Sequence, residues 1–85
     1  MWNRNLKRRF RGKITFTMDK DHPDVKFLKN WTEDTVMDFA DYYEFSMDYT
    51  MDEIESYIKH DLMLVAGGGY NTDHIHDVNF EIRQA

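Results

Sequence analysis

The sequence predicts a small α+β domain of order β-α-α-β, with two antiparallel helices packed on a small sheet. Three observations carry that prediction. Apolar and polar residues alternate near both ends of the chain, over about 10–18 and 75–83, as they do along a strand with one buried face. Between those ends, apolar residues recur at helical spacing over about 33–47 and again over about 51–66. Finally, 85 residues make one domain, 1–85, because a chain of this length buries only about 60–65% of its unfolded surface and has no room for two cores.

In the first strand, Phe10, Gly12, Ile14, Phe16 and Met18 share a side, and Arg11, Lys13, Thr15 and Thr17 share the other. Residues 1–9 read as a basic N-terminal arm or as the frayed start of that strand. A turn follows at Asp19–Asp24, which contains the only proline, Pro23. The stretch from Val25 to Trp31 fits either a short strand or a helical turn.

The first helix is expected to bury Val36, Phe39, Ala40, Tyr43 and Met47, with Thr32 as N-cap and Glu33 and Asp34 in its first turn, where the helix dipole favours negative charge. The second has a fuller signature. Thr50 and Glu53 form a T-x-x-E capping box, Ile54, Tyr57, Ile58, Leu62 and Val65 share a face, and Gly67, Gly68 and Gly69 terminate it. Asp61 falls on that apolar face and requires a partner or water. In the last strand Val78, Phe80 and Ile82 alternate with Asp77, Asn79, Glu81 and Arg83, so Asp77 and Glu81 are placed to face the basic side of the first strand. Two strands leave exposed sheet edges, and the apolar run Leu62–Ala66 needs cover on several sides, so a homodimer or a place in a larger complex is expected.

Charge is distributed unevenly. The net charge is −5, yet six of the eleven Lys and Arg residues lie in the first thirteen positions, leaving the remaining 72 residues at −11. There is no cysteine, which excludes disulfides and thiolate metal sites. The basic start is not followed by a long apolar run, so neither a signal peptide nor a membrane helix is expected, and cytoplasm is the default compartment.

No nucleophile motif or paired-acid signature stands out, and a non-catalytic binding protein is expected, without cofactor or metal. The leading expectation places Asp34, Asp38, Asp41, Tyr42, Glu44, Phe45, Asp48, Asp52 and Glu55 on an acidic helical surface that imitates nucleic-acid phosphates and docks on a basic, nucleic-acid-handling protein. The alternative is direct nucleic-acid binding by the basic arm through Arg4, Lys7, Arg8, Arg9 and Arg11. A third reading is a metal-dependent role at His74 and His76, which share a side at i, i+2. Two ligands do not make a site, however; a third would have to come from His22, Asp21 or another distant residue, and zinc binding tighter than about micromolar is not expected. The three glycines follow a helix, whereas a phosphate-cradling loop precedes one, so they read as a cap.

Overall fold

The computed structural model describes residues 6–69 and 72–85. Strands β1 (Lys7–Met18), β2 (Met37–Ser46) and β3 (Ile75–Gln84) form one antiparallel sheet in the order β2-β1-β3, and helix α1 (Met51–Ala66) packs on one face of it. The order is therefore β-β-α-β. The predicted β-α-α-β arrangement with two helices is corrected: the segment read as the first helix is the edge strand β2.

The reason is visible in the side chains of that segment. Met37, Phe39, Tyr43 and Phe45 lie at odd positions and pack toward the core, with Phe45 only 8% exposed. By contrast, Val36 and Met47, which the helical stripe required, are 68% and 52% exposed. Four aromatic residues within seven positions suit a half-buried pleated surface. Asp41 interrupts the apolar alternation, and it sits opposite Gly12, where the neighbouring strand presents no side chain.

β1 occupies the centre because its even positions are apolar almost throughout. Phe10, Ile14, Phe16 and Met18 join Ile54, Ile58, Leu62 and Ala66 of α1, together with Phe45 and Ile75, in a single core. Gly12 admits the helix closely: a Cβ there would lie 2.5 Å from Ile58 Cγ2. The other face of the sheet carries Lys7, Arg9, Arg11 and Lys13 and is covered by no described element.

α1 matches its predicted span. The Thr50 hydroxyl accepts the Glu53 N–H (3.2 Å), the Glu53 carboxylate accepts the Thr50 N–H (2.9 Å), and the helix ends where Gly67 N–H meets the Met63 carbonyl (2.9 Å). Asp61 finds its partner in Tyr43, whose hydroxyl donates to it at 2.7 Å. Of the apolar run at the helix end, Leu62 and Ala66 are buried, whereas Leu64 and Val65 are exposed. Val25–Phe27 is a short 3-10 turn, which resolves that ambiguous stretch as helical.

β3 contains a bulge. Thr15 pairs with Asn79 but Thr17 pairs with His76, so Asp77 and Val78 together oppose Phe16, and Asp77 adopts φ 52. The extra residue lets Ile75 and Val78, three positions apart, both face the core. Among the described residues, no helix is long and apolar enough to cross a membrane.

Candidate functional site

A strand at a sheet edge keeps half of its main-chain groups for something other than the sheet. Ala85 N–H donates to the Arg9 carbonyl (2.9 Å), so odd residues of β1 bond to β3 and even ones to β2. The main-chain groups of Asp38, Ala40, Tyr42 and Glu44 consequently point away from the sheet. The Asp41 carboxylate accepts the Tyr42 N–H at 2.8 Å, which satisfies one of these groups locally.

Beside this edge lies an open cleft of about 660 Å³, lined by Tyr42, Tyr43, Phe45, Tyr49 and Tyr57 together with Glu44, Glu53 and Lys7. Tyr43 and Phe45 form stacked and edge-on contacts with one another and with Tyr57, which fixes the cleft wall to the core. Tyr42 and Tyr57 are 64% and 57% exposed, so large amphipathic rings stand at its rim. Burial, then the hydrogen bond to Asp61, pushes the Tyr43 phenol well above its ordinary value of 10.0.

Several residues expected on one helical face are separated by the structure. Asp38, Tyr42 and Glu44 lie on the open face of the sheet, Asp41 lies on the helix side opposite Gly12, and Phe45 is buried. Asp48 is in the β2–α1 turn and Asp52 in the first turn of α1, both exposed. Asp34 belongs to the β1–β2 connection at the far end of the sheet. Glu55 lines a different hollow, with Met51 and Lys59 against β3. Thus Tyr42, Glu44 and Phe45 line the cleft, Asp38 and Asp41 lie along the same edge strand, Asp48 and Asp52 follow in the turn and the start of α1, and Asp34 and Glu55 lie elsewhere. Tyr49 and Tyr57, which sequence reasoning left out of the site, are found only once α1 is laid beside β2.

The basic residues divide as well. Lys7, Arg9 and Arg11 project from the open face, but Arg8 lies on the other side and its guanidinium donates to the Tyr49 carbonyl. Arg4 lies outside the described residues. Arg9 approaches Glu44 at 3.9 Å and Lys13 pairs in register with Glu81, as a charge-matched sheet would have it. Arg11 is different: its neighbours in register are Tyr42 on one side and Arg83 on the other.

At the opposite end of β1 the histidines meet a carboxylate. Asp19 Oδ1 lies 3.1 Å from His74 Nδ1, and its Oδ2 lies 3.0 Å from His76 Nε2. The contact with His76, then the Asp21 N–H and His74, hold the Asp19 carboxyl at about 2, below its ordinary 3.8. His22 takes no part. It is buried, with Nε2 donating to the Ala66 carbonyl (2.6 Å) and Nδ1 accepting the Asp24 N–H (3.0 Å), and it ties the loop to the end of α1.

No protein-family model, curated protein or solved structure matches the chain.

Proposed function

We propose that this is a non-catalytic binding protein that docks the tyrosine-rich, acidic edge formed by β2 and the adjoining flank of α1 on a basic surface of a partner protein, such as a nucleic-acid-binding groove. One observation carries the reading: the cleft walled by Tyr42, Tyr49 and Tyr57 lies directly beside a strand edge with outward-facing main-chain groups. Exposed tyrosines offer large contact area at low entropic cost, and a free edge offers hydrogen bonds to an added strand. Charge sets the sign of the partner. Asp38, Asp48 and Asp52 have no ion pair among the described residues, so they remain available to lysines and arginines that approach.

The test is equilibrium binding of a fluorescent arginine-rich peptide. Binding should weaken as salt rises, and both Tyr57→Ala and the pair Asp41→Lys with Asp48→Lys should reduce affinity at least tenfold, about 1.4 kcal/mol. These positions are exposed or line the cleft, so folding should persist. Absence of peptide binding at low salt, or binding indifferent to these changes, would overturn the reading.

A second reading rests on the row Tyr42–Arg11–Arg83. Like charges directly opposite one another destabilise a sheet, and such local conflicts concentrate at functional sites. The row would hold a phosphate between the arginines and stack a base on Tyr42, as single-stranded nucleic acid requires. An oligonucleotide that binds with a salt slope reduced by about 0.7 for each of Arg11→Ala and Arg83→Ala, while the peptide fails to bind, would favour it.

A further inference from the structure

We propose that Asp19, Asp21, His74 and His76 form a binding site for a single zinc ion at the junction of β1 and β3. Sequence alone offers the histidine pair, with Asp21 among the candidates for a third ligand. The fold supplies the missing carboxylates, bringing Asp19 to His74 across 55 positions of chain.

The distances fit a shared ion. Zinc binds imidazole nitrogen and carboxylate oxygen at about 2.0–2.2 Å in a tetrahedron, which separates neighbouring ligand atoms by about 3.3–3.6 Å. Here Asp19 Oδ2 lies 3.3 Å from His74 Nδ1 and 3.0 Å from His76 Nε2. Ligand atoms of Asp19, Asp21 and His74 also lie within 4.8 Å of one another. Asp19 thus lies within reach of both histidines, and an ion needs His76, which stands outside that set of three, and Asp21 to swing toward it.

The backbone prepares this arrangement. Asp19 N–H donates to the His74 carbonyl at 3.0 Å, which joins the end of β1 to the start of β3. The Asp21 N–H donates to Asp19 Oδ1 at 2.9 Å and fixes the carboxylate, as outer hydrogen bonds do in metal sites. The bulge at Asp77 begins just after His76, where the strand changes phase between its open and core faces.

Chemistry and access select the ion. Two imidazoles with two carboxylates suit zinc, whereas magnesium and calcium call for all-oxygen shells. The side chains of Asp19, His74 and His76 are 31%, 34% and 52% exposed, so an ion enters from solvent without opening the core. An adjoining hollow lined by Glu33, Asp34 and Asp77, with Asp19 and His76, adds a negative field that concentrates cations.

The experiment is calorimetric titration of zinc into chelator-treated protein, alongside visible absorption with cobalt as a spectroscopic substitute. The expected result is one ion per chain at about micromolar affinity or tighter, a cobalt spectrum of tetrahedral intensity, and a rise in Tm on adding zinc. Asp19→Asn, His74→Ala and His76→Ala should each weaken binding at least tenfold, with folding checked by circular dichroism. His60→Ala, a change on the exposed side of α1, should leave it unchanged. Asp19→Asn preserves shape and keeps one acceptor oxygen for the Asp21 N–H, so it keeps the test meaningful if a histidine variant unfolds. Absence of zinc binding, equal competition by magnesium, or affinity unaltered in Asp19→Asn would overturn the proposal.

Discussion

Tyr43 and Asp61 show how one polar pair holds the cleft wall in place. The phenol sits against the core beside Phe45 and Tyr57, and its hydroxyl donates to a carboxylate that would otherwise occupy an apolar helix face without a partner. Tyr43→Phe should cost about 1–2 kcal/mol near neutral pH, because Asp61 loses its donor. The pH dependence has a definite sign. Burial and Asp61 raise the folded-state value above 10.0, so on passing pH 10 the unfolded chain releases its proton first and stability falls as pH rises. Urea denaturation between pH 8 and 11 should therefore show a shallower alkaline decline in Tyr43→Phe than in the wild type. Parallel declines would place the Tyr43 proton outside this linkage. The sequence marks Asp61 as a carboxylate in need of a partner but hides its donor, because the spacing around Tyr43 fits a helix as well as the strand it forms.

β2 departs most from the element its sequence predicts, and the cause is physical. Its apolar residues fit two periods at once: Phe39, Ala40, Tyr43 and Met47 satisfy helical spacing, while Met37, Phe39, Tyr43 and Phe45 satisfy alternation broken at Asp41. Local pattern could not decide between them. What decided was the neighbour, since β1 needs a partner strand and offers Gly12 where Asp41 interrupts the pattern. By contrast, α1 was legible because its capping box and terminal glycines are local signals, and β1 and β3 because their alternation is nearly unbroken. Gly12 is also where the sheet admits the helix. Gly12→Ala should destabilise the protein by about 1–3 kcal/mol through overpacking against Ile58, as read from the denaturation midpoint. Pairing it with Ile58→Ala, which removes that Cγ2, should cost less than the two single changes summed, and an additive double variant would contradict close packing at this point.

Taken together, the sheet has three distinct surfaces: a face sealed by α1, an open face with a basic stripe, and an acidic, tyrosine-lined edge. The acidic character of this region was legible in the sequence, as was the histidine pair. Asp19, which joins the histidines, and Tyr57, which α1 adds to the cleft, depend on long-range pairing that no local pattern encodes. Recognition of a basic partner along β2 is tested most directly by amide hydrogen exchange resolved by residue, with and without the arginine-rich peptide. Docking at this edge should slow exchange at the outward-facing amides of Asp38, Ala40 and Glu44 and leave the amides of β3 unchanged. Protection confined to β3 and the Arg11–Arg83 row, with the β2 edge unaltered, would contradict it.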